Sequence, residues 1–473
     1  MDLRAKRSRV GVVVLLCCLA LLGACERCAS GPPNVLLVVL DTERADAVHG
    51  YGAPESQTPT IAALASEGTL FEQARTTTAW TVPAHASMFT GRYPSGHGVH
   101  NEGGGLALEA VTLAELLSAT HATAGVAENP HIKKGKNFDQ GFSYFANTWK
   151  MPRDPKTKAL QTNRLVLDWL AKHAGERPFM MFINYMTPHL PYRPPLEYQA
   201  QHIPADADPA RIEWLRELGD KHARYYIAKR LTLDELDLTW LRQLYAAEAT
   251  YVDAQLREVI EALRARRWLD NTLVVIVGDH GENIGDHGLM EHQFCLYESL
   301  LRVPMIMRLP RVIPAGLRRD DPVQLVDLLP TILSITGVPS ERWPRHRGLD
   351  LLAGPVAPER PVVAEYMLPR GQQRIFAKQV PGFDFTPLLR RLKSIQIGSD
   401  KLIVSDRDEV ELYDLASDPD EQRDLASAQP ERAAALSAQL QAWLDRSPRP
   451  FGPTPAHHST GTLESLRQLG YVE

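Results

Sequence analysis

Three runs of this sequence are almost wholly apolar: Val35 to Leu40, Phe179 to Ile183 and Leu273 to Val277. Each is short, and none alternates apolar with polar residues, so each reads as a β-strand covered on both faces. Strands of that kind belong to a parallel sheet with helices on either side. Each run also gives way abruptly to polar residues. The first ends in Asp41, the second in Asn184 and then Pro188-His189, and the third in Gly278-Asp279-His280. Open α/β sheets hold their ligands beyond the carboxyl ends of the strands. One sheet edge can therefore present both Asp41 and Asp279, with His280 beside them. Between the strands, Leu241, Leu244, Tyr245, Val252, Leu256, Val259, Ile260 and Leu263 recur at helical spacing and predict a long helix over the sheet. Residues 112 to 128 predict a helix and then a short strand around Thr123 to Ala127. Residues 196 to 235 form a charged insertion with helical stretches and no motif. Past Arg360, Lys401 to Val404 and Glu411 to Leu415 read as a hairpin, and Leu436, Leu440, Trp443 and Leu444 mark one face of a last helix. A chain of 473 residues, 44% of them hydrophobic, suffices for one large domain and a smaller one.

The densest stretch lies at residues 76 to 101, with Thr81-Val82-Pro83-Ala84-His85 at its centre. Pro83 suits the first turn of a helix, where a missing N–H costs nothing. Thr81 then falls at or near the N-cap, where backbone N–H groups favour an anion. A hydroxyl placed there would meet a negatively charged ester in a favourable field. A threonine that only caps a helix would look the same.

The N-terminus reads as a targeting segment. Arg4, Lys6, Arg7 and Arg9 precede an apolar run from Val10 to Leu22, which is short for a membrane span. It closes on Leu22-Gly23-Ala24-Cys25, which resembles a bacterial lipobox. That resemblance implies cleavage before Cys25, a lipid on its sulfur, and a place in the cell envelope on the periplasmic or extracellular face; an ordinary signal peptide is the plainer alternative. Of the 5 cysteines, Cys17 and Cys18 would leave with the signal, and Cys28 and Cys295 form no disulfide framework. The net charge is −5 with no basic block beyond the N-terminus, which argues against a nucleic-acid partner.

Thr81-Val82-Pro83-Ala84-His85, followed by Thr90-Gly91-Arg92-Tyr93-Pro94, resembles the signature of the sulfatase family, a branch of the alkaline phosphatase superfamily. Gly278-Asp279-His280-Gly281-Glu282, Gly285-Asp286-His287-Gly288, Glu291-His292 and Leu296-Tyr297-Glu298 resemble its second signature, and the motifs come in family order. The resemblance implies an alkaline-phosphatase-like α/β fold: a large mixed, mostly parallel sheet flanked by helices, plus a small C-terminal antiparallel sheet with a helix. On that reading residues 1–24 are the signal, 25–33 a linker, 34–355 the catalytic domain, 356–446 the C-terminal subdomain and 447–473 a tail. It also implies a catalytic Thr81 with His189 and His292, substrate contacts from His85, Asn101, Asn129 and His131, and one divalent metal on Asp41, Thr81, Asp279 and His280.

The departures from the family pattern are as informative. Sulfatases oxidise a cysteine or serine to formylglycine; Thr81 occupies that position and cannot yield the aldehyde, so no formylglycine is expected. The usual arginine is His85, and Asn129 replaces a lysine. Where the family's first strand ends in Asp-Asp, this one ends in Asp41-Thr42. A shell with one carboxylate fewer and an imidazole shifts the metal preference from calcium toward manganese or zinc, with iron also suited. The expected activity is metal-dependent hydrolysis of sulfuric or phosphoric esters of a small molecule or glycan. The alternatives are a threonine-nucleophile phosphodiesterase or phosphotransferase, and a non-catalytic glycan-binding protein.

Overall fold

The computed structural model describes residues 31–455 apart from 102, 150, 152–157, 174, 176, 368–371, 448–449 and 452–453. Cys25, the expected lipobox and residues 456–473 of the expected tail lie outside the described residues.

The three apolar runs are the centre of an eight-stranded sheet. Asn34–Leu40 lies between Phe179–Tyr185 and Thr272–Gly278, parallel to both. Ala122–Ala127 and Tyr144–Asn147 extend the sheet in parallel on one side. On the other side Met305–Arg308 runs antiparallel, then Thr69–Phe71 and Leu317–Arg319 complete the order. Both faces are covered, which is why the strands lack alternation. Val35, Leu37 and Val39 pack into a core with Phe89, Leu328 and Ile332. Leu36, Val38 and Leu40 point the other way, into a core with Val252, Leu256, Val259 and Leu263. The long helix that supplies those residues is Glu235–Ala265, started by a capping box in which the Asp234 side chain accepts from the Asp237 N–H.

Register is what makes the site. Leu40 is opposite Tyr185 on one side and Gly278 on the other, so the next residues of two strands, Asp41 and Asp279, emerge next to each other. The helix Thr81–Thr90 is buried over its whole length and ends at Gly91, whose φ of +64° is left-handed and where a Cβ would come within 2.8 Å of Leu329. Its N-cap is Trp80, one residue earlier than the sequence suggested, because Trp80 keeps extended backbone and Thr81 already has helical geometry. The expected helix after residue 112 is short, Leu113–Ser118 with Thr112 and Glu115 in a capping box, and the strand Ala122–Ala127 follows. The insertion contains Leu196–Gln199, Pro209–Arg216 and Asp220–Ile227.

The C-terminal region is a four-stranded antiparallel sheet in the order Val362–Tyr366, Leu392–Ile397, Asp400–Ser405, Val410–Asp414. Helix Pro430–Asp445 covers it through Leu436, Leu440 and Trp443. Buried Lys401 joins this sheet to the main body by pairing with Glu298 at 2.9 Å and Glu421 at 2.6 Å, while Arg75 holds the other oxygen of Glu298 at 2.9 Å. Among the described residues no helix is long and apolar enough to cross a membrane.

Candidate active site

Asp41, Asp279 and His280 bring three ligand atoms within 4.8 Å of one another, and all three side chains are completely buried. Asp279 is fixed from below: its Oδ1 accepts the backbone N–H groups of Thr42 at 3.0 Å and His280 at 2.9 Å. Asp41 Oδ2 accepts from Asn129 Nδ2 at 2.7 Å and more weakly from Asn184 Nδ2 at 3.4 Å, while Asn184 Oδ1 accepts the Asn129 backbone N–H at 2.9 Å. The second Asp41 oxygen, Oδ1, is buried without a hydrogen-bond partner. Burial first, and the neighbouring Asp279 carboxylate second, push the Asp41 carboxyl well above its usual range. Two buried carboxylates side by side, one with an oxygen unsatisfied, form an arrangement that a cation would relieve. The donor set of two carboxylates and an imidazole fits a divalent metal, and the mixed oxygen and nitrogen donors suit zinc or manganese as well as harder ions.

Thr81 stands at the same point. Its Oγ1 is 3.2 Å from His280 Nε2, and His280 Nδ1 is 3.0 Å from the Gly281 carbonyl. With Nδ1–H donating to that carbonyl, the Nε2 lone pair faces the hydroxyl and the carboxylates. His292 lies over His280 with ring centres 4.6 Å apart, and His189 lies 5.2 Å beyond His292. Trp80 meets His292 edge-on at 5.6 Å and stacks on Tyr366 at 5.7 Å, so the helix start and the histidine row share one wall. His131 joins through its backbone N–H, which donates to Asn129 Oδ1 at 2.8 Å.

The structure therefore brings together Asp41, Thr81, Asp279, His280, His292, His189 and Asn129, with His131 one contact away. His85, expected at the substrate, stands beside the cluster, with its Nδ1 3.7 Å from Asp279 Oδ2. His85 Nδ1 is 2.8 Å from the Thr81 carbonyl, one helical turn back, and its ring is enclosed by Phe89, Phe138 and Phe182. Burial pushes its pKa down to about 3, so it offers no positive charge where the family has arginine. Asn101 uses its Oδ1 to accept the Gly103 N–H at 2.9 Å.

Three further residues had gone without a role. Asn184 is the first polar side chain after an apolar strand, a signal visible in the sequence. Glu282, in the second motif, is buried with Oε1 3.2 Å from His292 Nδ1. Lys136 is buried with Nζ 2.9 Å from His131 Nδ1, which puts a cationic side chain near the position where Asn129 had removed one. Nothing in the spacing of Lys133, Lys134 and Lys136 singles it out.

A family model described as Sulfatase matches residues 33–338, well over half of the chain. An uncharacterized sulfatase of Escherichia coli K12 is 26% identical over 440 residues, which is 83% of each chain. An N-acetylglucosamine-6-O-sulfatase of Bacteroides thetaiotaomicron is 24% identical over 472 residues, covering 83% of this chain and 82% of the relative. Among solved structures, the phosphonate monoester hydrolase of Agrobacterium radiobacter superposes with a TM-score of 0.70 at 21% identity, over 87% of this chain and 95% of that one.

Proposed function

This chain belongs to the sulfatase family of ester hydrolases in the alkaline phosphatase superfamily, and we propose that it cleaves anionic sulfuric or phosphoric esters with Thr81 as the nucleophile. The observation that carries the reading is the 3.2 Å contact of Thr81 Oγ1 with His280 Nε2, within the cluster of Asp41 and Asp279. Asp41, Asp279, His280 and the Thr81 hydroxyl would hold one divalent cation, with manganese or zinc favoured. When bound, that ion supplies Lewis-acid polarisation of the ester and a lower pKa for the attacking hydroxyl.

The chain's own residues do the rest. Asn129 and Asn184 hold Asp41 in place, and the Thr42 N–H holds Asp279. Thr81 Oγ, its proton released to solvent, forms a bond to sulfur or phosphorus, and the alkoxide or aryloxide leaves with its bonding pair. His292 and His189 hold the nonbridging oxygens and give the leaving oxygen a proton. His131, backed by Lys136, and Asn129 are hydrogen-bond partners for the remaining oxygens. A threonine ester has no aldehyde hydrate to expel it, so water must attack the sulfur or phosphorus to restore Thr81. That exit is open to a phosphoryl enzyme, which gives the threonine-nucleophile phosphodiesterase or phosphotransferase reading its support. The named relatives act on sugar sulfates and on phosphonate monoesters, so both acid classes have precedent on this fold. The lipobox at Cys25 supports attachment to the bacterial envelope.

The test is a panel of aryl sulfate, phosphate monoester, phosphate diester and phosphonate ester with each divalent metal, followed by mass analysis of the Thr81 peptide from stopped reactions. Added phosphate or sulfate on that peptide is expected. Thr81→Ala should lose several powers of ten in turnover, and Thr81→Ser should keep measurable activity. Wild-type turnover in Thr81→Ala would move the nucleophile elsewhere.

A further inference from the structure

Within Gly278-Asp279-His280-Gly281-Glu282, Glu282 is the polar residue whose side chain the chemistry above leaves unused. It is completely buried, two residues past His280, and its Oε1 is 3.2 Å from His292 Nδ1. The Glu282 carbonyl is itself pinned by Arg44 Nη1 at 2.7 Å, and Arg44 also pairs with Asp286 at 2.9 Å, so the anchor has little freedom. A carboxylate on one ring nitrogen fixes both the orientation of an imidazole and which nitrogen faces its substrate.

We propose that Glu282 is a positioning residue: it holds His292 by Nδ1 and so presents Nε2 to the leaving-group oxygen. This rests on His292 meeting the ester as described above. The proton between Oε1 and Nδ1 stays within the pair; a second proton, on Nε2, passes to the leaving oxygen and is replaced from the water that later frees Thr81. Removing Glu282 frees the ring to rotate and to exchange tautomers, and the penalty falls where the leaving oxygen most needs a proton.

Phenyl and 4-nitrophenyl esters of sulfate and of phosphate provide the probes, because phenoxide is the poorer leaving group. Glu282→Ala should lower kcat for the phenyl esters about 10–100-fold. The 4-nitrophenyl esters should change little, and KM and bound metal should be nearly unchanged. The nitrogen-15 shifts of the His292 ring, read in metal-free and metal-loaded protein, should report one tautomer in the wild type and a mixture in Glu282→Ala. In a His292→Gln background Glu282→Ala should add no further loss. Glu282→Gln, whose amide still reaches Nδ1, should restore the single tautomer and most of the phenyl-ester rate, and it decides the matter should Glu282→Ala not fold. Equal losses on both leaving groups, an undiminished effect without His292, or a Glu282→Gln variant that keeps the tautomer yet loses the rate would each overturn the proposal. Failure of the Thr81 reading is distinguishable: no ester mass would appear on the Thr81 peptide in the wild type, whatever the His292 ring reports.

Discussion

At the scale of single residues, the site shows what burial does to charge. Asp41 and Asp279 face each other with a ligand set between them, but Glu43, two residues along, has no such purpose. It is completely buried, both of its carboxylate oxygens lack hydrogen-bond partners, and burial followed by the nearby Asp46 and Asp253 pushes it well above the usual 4.5. A raised folded pKa means that Glu43 contributes most below its unfolded pKa, and that this contribution is lost as pH rises through the folded value. Glu43→Met should therefore stabilise the fold by about 1–3 kcal/mol near pH 8 and by less near pH 5. Denaturant midpoints of metal-free wild type and variant at the two pH values measure this; a gain that shrinks as pH rises would refute it. Legibility at this scale followed exposure to pattern. Asp41, Asp279 and His280 were readable because each ends an apolar strand. Glu282 and Lys136 were not, because a buried residue that supports an imidazole leaves no periodicity behind. His85 takes the place of an arginine with a shorter, fully buried side chain that meets the Thr81 carbonyl of its own helix and lies 3.7 Å from Asp279 Oδ2.

At the scale of elements, the apolar runs predicted their strands closely, since a strand covered on both faces has no polar residue to spare. The two-residue pairings, such as Asn283–Ile284 with Met290–Glu291, had no comparable signal. The small antiparallel sheet was only half visible, as a hairpin, and what docks it was not visible at all. Lys401, Glu298, Glu421 and Arg75 come from four distant segments and meet out of water. Burial opposes the charge on Glu298, yet Arg75 and Lys401 together hold it below the ordinary carboxylate range. Lys401→Met would leave Glu421 without its cation and Glu298 with one fewer, at a cost of about 3–5 kcal/mol in unfolding free energy. Adding Glu421→Gln to that variant should recover part of the loss, because a neutral amide needs no counter-charge. Chemical denaturation of the three proteins checks both statements, and a change in Lys401→Met under about 1 kcal/mol would mean that water already screens the network.

At the scale of the whole molecule, the candidate metal site ties together the ends of two central strands and the start of the most buried helix. A cation there would bind the folded chain and find no comparable cluster in the unfolded one, so its affinity must appear as stability. At a free ion concentration 100 times the dissociation constant the gain is about 2.7 kcal/mol, which for a domain of this size raises Tm by roughly 3–4 °C. Chelation should remove that increment from the wild type. It should leave Tm unmoved in Asp41→Asn combined with Asp279→Asn, a variant that also loses the like-charge repulsion and so should fold well without metal. Zinc and manganese should raise the wild-type Tm more than calcium at equal free concentration, because His280 supplies nitrogen where an all-oxygen shell would suit calcium better. Melting curves with buffered metal, paired with metal content of the purified protein, carry the test. An increment that survives in the double variant would place the ion elsewhere, and one as large with calcium as with zinc would mean that Thr42, in place of a second aspartate, has not changed the preference of the site.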